Sequence, residues 1–151
     1  MQRLQSLAAR TGQAVLLYNG QPAAACYHAI SSGHTEASQN VWGGQLPYLC
    51  GVDSAWDKFA DGYEVTIQYS AEQVRTALEE LGLTPDDSPE SWVGASTWDK
   101  AGYVRTLELC GQMVSGLEVR KALDLRSTCF AIAWRGGQFV ITTRGYGHGV
   151  G

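Results

Sequence analysis

"TCFAIAWRGGQFVITT", residues 128–143, decides the architecture. Two apolar runs rich in aromatic and β-branched residues flank Arg135-Gly136-Gly137, so the chain turns back on itself there as an antiparallel hairpin. Just upstream, Ser115 and Glu118 form a capping box, and Val114 with Val119 a hydrophobic staple, which start a helix over 116–124. Before that, 92–98 and 103–109 read as strands joined by the turn "DKAG". "SAEQVRTALEELG" (70–82) is a second capped helix, with Ser70 and Gln73 as its box and Tyr69 and Val74 as its staple. Val74, Ala77, Leu78 and Leu81 give it one apolar stripe, and Gly82 ends it. "TPDDSPE" (84–90) is a loop by composition.

Toward the N-terminus, "QAVLLYNGQPAAACYHAI" (13–30) places two apolar runs around Asn19-Gly20, a dipeptide suited to the positive φ angles of a tight hairpin turn. Residues 3–10 read as a short helix. Strands and helices do not alternate regularly. The fold class is therefore α+β, with mainly antiparallel β hairpins, two capped α-helices and a short N-terminal helix. At 151 residues the chain reads as a single domain, 1–151, with a substantial core. The missing targeting segment suggests an excised piece, and the family resemblance set out below implies one truncated at both ends.

Composition narrows the function. No run of 18 apolar residues provides a membrane segment, and no nucleic-acid motif is present. Residues 53–99 carry eleven acidic and two basic side chains, whereas the flanks carry four acidic and nine basic. The acidic middle suits a solvated face, and the positive flanks favour an anionic ligand. Cys26, Cys50, Cys110 and Cys129 lack CxxC spacing and read as free buried thiols, with a bridge or metal ligation as alternatives.

The chemistry concentrates in "YHAISSGHTE" (27–36) and "GYGHGVG" (145–151). The second lacks the Lys-Ser/Thr of a phosphate loop and reads as a backbone needing close approach, which presents His148. His28, His34 and His148 with Cys26, Glu36 or Cys50 raise a zinc alternative, but no pair has a standard ligand spacing, so no bound metal is expected. Ser31 or Ser32 as a nucleophile lacks a G-x-S-x-G elbow. Glu36 is the only carboxylate of the motif, and its place after a glycine loop predicts a solvent-exposed side chain.

Three ordered stretches resemble the SpoIID/LytB family. They are "LLYNGQPAAACYHAISSGHTEASQNVWGGQLPYLCGVDS" (16–54), "MVSGLEVRKALDLRSTCFAI" (113–132) and the terminal "GYGHGVG", which the family continues into M-S-Q-Y-G-A. The resemblance covers roughly residues 13–151. It implies a peptidoglycan lytic transglycosylase or an amidase enhancer, outside the cytoplasm in the cell envelope of a bacterium. The implied partners are peptidoglycan glycan strands and other cell-wall hydrolases, with no cofactor. Tyr27, His28, Ser31, Ser32, Thr35 and His148 would line a glycan groove, and Trp42 and Tyr48 would stack on sugars. The family's catalytic glutamate lies upstream, on a helix whose ending "LAARTG" (7–12) echoes. No acidic residue precedes Glu36, so the general acid is expected to be missing from this chain, with Glu36 in reserve.

Overall fold

Strict alternation shapes the central sheet. In the computed structural model, which describes Ser6 and residues 14–151, strand β8 (Gln138–Arg144) buries Phe139, Ile141 and Thr143 and turns the residues between them outward. It pairs antiparallel with β7 (Phe130–Arg135) on one side and β3 (Glu64–Tyr69) on the other. A second antiparallel sheet is formed by β4 (Val93–Trp98), β5 (Val104–Leu109) and β6 (Gln112–Ser115), with β5 central. The expected α+β class with mostly antiparallel hairpins is what the molecule adopts.

Two helices complete the core. α2 (Ala71–Glu80) and α3 (Gly116–Ala122) both open on the expected capping boxes, Ser70 with Gln73 and Ser115 with Glu118. Val74, Ala77 and Leu78 from α2 and Val119 from α3 meet Leu107, Leu109, Phe139 and Ile141 in one cluster. Trp92 stacks on Phe139 with ring centroids 5.7 Å apart, and Trp134 closes on the same ring at 4.8 Å. Side chains of this size each stabilise by roughly 1.5–3 kcal/mol on burial, so Phe139 ties both sheets together.

Several expectations need correction. The first hairpin is only β1 (Leu17–Tyr18) and β2 (Gln21–Pro22), turning at Asn19 and Gly20 with φ of 50° and 76°. Residues 23–29 form no strand. Proline removes a ladder donor at residue 22, and the alanine run after it gives a strand little to pack. β3 and β6 are strands that the sequence reading left out, as is the short helix α1 (Ser38–Trp42). The short helix expected over 3–10 lies outside the described residues, Ser6 excepted. All four cysteines are free thiols, but only Cys129 is buried, and Cys50 is exposed. No helix among the described residues is long and apolar enough to cross a membrane.

Candidate functional site

The polar 27–36 loop is built around a buried tyrosine. Tyr103 lies at the start of β5, 1% exposed, and its hydroxyl donates to the His34 carbonyl at 3.2 Å while accepting from the Ser32 amide at 3.1 Å. Tyr63 donates to the Ser32 carbonyl at 2.8 Å, and the Ser32 hydroxyl donates to the Ala101 carbonyl at 2.8 Å. Ser31 Oγ accepts from the Gly33 amide at 3.1 Å, and Thr35 Oγ1 accepts from the Val52 amide at 3.0 Å. Ser31, Ser32 and Thr35 are all buried. Their hydroxyls satisfy backbone groups that the loop would otherwise bury unpaired.

Asp57, on the 3-10 turn Ala55–Phe59, fastens the other side of this loop. Its Oδ2 accepts from the Ser31 amide at 2.8 Å and lies 3.5 Å from His28 Nε2. Burial pushes the Asp57 carboxyl up, but bonds from Ser31, Ser54 and His28 outweigh it and hold it below the usual range.

The glycine-rich terminus lies directly against the loop. Ile30 and Tyr146 exchange both backbone hydrogen bonds, at 3.1 and 2.7 Å, and the Glu36 amide donates to the Gly149 carbonyl at 2.7 Å. Gly149 has φ of +76°, and a Cβ there would run into the Tyr103 hydroxyl. Only glycine allows this approach. The result is to fix His148, whose Nδ1 accepts from the Val150 amide at 3.1 Å. The neutral ring therefore carries its proton on Nε2. Burial, then the charges of His28 and Arg120, lower the proton affinity of His148 below the ordinary histidine value.

Beside His148 lies a cavity of about 90 Å³ lined by Glu36, Asn40, Arg105, Arg120 and Thr128 together with His148 and the apolar Val41, Val104 and Leu117. Trp42 is 48% exposed, and its ring meets His148 edge-on at 5.1 Å. The expected exposure of Glu36 is overturned: it is 4% exposed. Its Oε1 accepts from the Ala37 amide and the Asn40 amide group, both at 2.7 Å, and its Oε2 pairs with Arg105 Nη2 at 2.7 Å. The same guanidinium nitrogen also meets Asp99 Oδ2. Burial and the neighbouring Asp99 carboxyl raise the proton affinity of Glu36, against the lowering effect of Asn40 and Ala37. Ala37 and Asn40 are local partners, but the counter-ion Arg105 comes from β5, which the local sequence around residue 36 does not reveal.

Of the residues singled out from the sequence, Glu36 and His148 line this cavity and Trp42 meets His148, whereas His28 bonds the Val150 carbonyl and pairs with Asp57. Tyr27 is 84% exposed. Ser31, Ser32 and Thr35 support from within, and Tyr48 accepts the Ala24 amide at 3.0 Å beside Tyr18. Arg105, Arg120, Asp99 and Asn40 were missed. The excess of basic residues in the flanks was the only signal that pointed toward the two arginines. The zinc alternative finds no support in geometry: no group of three His, Cys, Asp or Glu among the described residues is placed to hold an ion.

No family model matches the chain. Stage II sporulation protein D of Bacillus subtilis is 34% identical over 152 residues, covering 100% of this chain and 43% of the relative. The Bacillus amyloliquefaciens protein of the same name is 33% identical over the same span. The amidase enhancer of Bacillus subtilis is 36% identical over 83 residues, which are 55% of this chain and 11% of that protein. The chain thus spans less than half the length of the curated sporulation proteins it matches. The resemblance to the SpoIID/LytB family therefore holds along the whole chain against the sporulation proteins and over 55% of it against the amidase enhancer.

Proposed function

We propose that the chain holds a peptidoglycan glycan strand against the cavity beside Trp42 and His148, as part of a lytic transglycosylase of bacterial cell-wall remodelling. The observation that carries this reading is convergence. Glu36 and His148 come from two motifs far apart in the chain and line one cavity, and a half-exposed tryptophan meets His148 edge-on. Trp42 offers a ring face to the apolar side of a sugar. His148, neutral with its proton on Nε2, donates to a sugar hydroxyl or acetamido carbonyl. Tyr27 extends the polar rim. Together they hold the anomeric carbon in reactive geometry.

In the implied reaction an acid gives its proton to the glycosidic oxygen as the bond to C1 breaks. The muramoyl C6 oxygen then bonds to C1 and gives up its own proton. Glu36 is committed to Arg105, Ala37 and Asn40, so its first role is to hold Arg105 in place, and it remains only a reserve acid. The general acid is assigned to the remainder of the enzyme, and the site of action to the cell envelope, alongside other cell-wall hydrolases. The likeness to an amidase enhancer supports a second reading, a glycan- or partner-binding module that does not cleave.

Titration with glycan strands stripped of their stem peptides, followed by tryptophan fluorescence, tests the first claim. Saturable binding is expected, weakened by His148→Ala with the melting temperature nearly unchanged. Absence of binding overturns it, and so does binding untouched by His148→Ala. Addition of the rest of the enzyme separates the two readings: release of anhydromuramoyl products supports the transglycosylase, and binding without release the module.

A further inference from the structure

Arg120 presents a guanidinium with no counter-ion. Its Nε donates to the Leu125 carbonyl at 3.1 Å, just beyond the C-terminus of α3, and the residue lines the cavity with no hydrogen bond from its two terminal nitrogens among the described residues. Among the described residues no carboxylate forms an ion pair with it. Residues 1–13 contain no Asp or Glu. Arg105, which lines the same cavity, is by contrast shared between Glu36 and Asp99.

We propose that this cavity is a carboxylate subsite, in which Arg120 takes a monoanionic carboxylate carrying a small apolar group, the chemistry of a lactyl ether on a sugar ring. The planar guanidinium fork matches a carboxylate with two parallel hydrogen bonds. One unpaired cation beside two carboxylates accommodates a single negative charge and disfavours a phosphate dianion. Val41, Val104 and Leu117 supply an apolar wall that a bare inorganic ion would not use but a lactyl methyl would. Arg120 lines the same cavity as His148, against which Trp42 stands. The identity of the sugar scaffold rests on the glycan-binding reading above, whereas the carboxylate preference rests on the cavity itself.

The test compares three ligands on the unsubstituted chain by isothermal titration: the N-acetylglucosaminyl-N-acetylmuramic acid disaccharide, the same disaccharide with its lactyl carboxylate converted to the carboxamide, and sodium lactate. The free carboxylate is expected to bind roughly tenfold or more tightly than the carboxamide, the usual weight of a charge-assisted pair. Arg120→Gln should abolish that preference, and Arg120→Lys should retain only part of it. Equal affinity of the two disaccharides in the unsubstituted chain overturns the subsite and leaves the glycan reading intact. Binding of lactate that Arg120→Gln abolishes, with neither disaccharide bound, supports the subsite and overturns the glycan reading. No binding of any ligand overturns both. The comparison of ligands on the unsubstituted chain decides the matter even if Arg120→Gln fails to fold.

Discussion

His148 stands edge-on to Trp42, with ring centroids 5.1 Å apart and planes inclined by 65°. One ring comes from the glycine-rich terminus and the other from the last residue of α1, so the contact reports directly on whether the site is assembled. It places an aromatic face and a neutral imidazole side by side, above two arginines and a buried glutamate. Four consequences can be measured.

The His148 ring should titrate below the ordinary value of 6.5 in an NMR pH series. Arg120→Gln should move the midpoint upward, because it removes one of the charges that oppose protonation. A histidine whose folded pKa is depressed favours folding when neutral. Its contribution is therefore full above about 6.5 and is lost as the pH falls through the folded value. In His148→Gln this part of the acid-side loss of stability should vanish.

Arg105→Ala should destabilise the chain by about 3 kcal/mol in urea unfolding, because Glu36 and Asp99 then lose their shared cation. Glu36→Gln should cost clearly less. The Ala37 and Asn40 donors keep an acceptor, and Arg105 keeps Asp99. Equal losses for the two variants would contradict the asymmetry seen here.

The 151-residue chain by itself should release anhydromuramoyl products from purified glycan strands slowly, on the order of 10²–10⁴-fold below an enzyme with a free general acid. Mass spectrometry of the soluble products measures this. An ordinary enzymatic rate that Glu36→Gln abolishes would instead promote Glu36 to the acid.

Gly149→Ala should lower the melting temperature sharply and detach the terminus from the 27–36 loop. The added methyl meets the Tyr103 hydroxyl, which holds both the Ser32 amide and the His34 carbonyl. Gly136→Ala, at a turn where a Cβ meets nothing within 4 Å, should cost only the strain of its positive φ. A similar drop in the two variants would show that close approach at residue 149 is unimportant.

Sequence by itself determined the elements whose rules are local. Both capping boxes, the apolar stripe of α2, the terminal hairpin and the Asn19-Gly20 turn follow from side chains within a few residues of one another. The resemblance to the SpoIID/LytB family was also legible there, because ordered motifs survive without a structure. Only the tertiary structure decided what the polar residues do. Ser31, Ser32 and Thr35 look in sequence like candidates to touch a ligand, yet their hydroxyls meet backbone groups of Gly33, Ala101 and Val52. Glu36 looks exposed because its counter-ion is supplied from β5, a strand far along the chain. Arg120 reads as an ordinary helix residue until the fold places it in the cavity with His148, forming no ion pair among the described residues. Burial and charge pairing are sums over neighbours distant in sequence, so a local pattern can nominate a polar residue but cannot assign its partner.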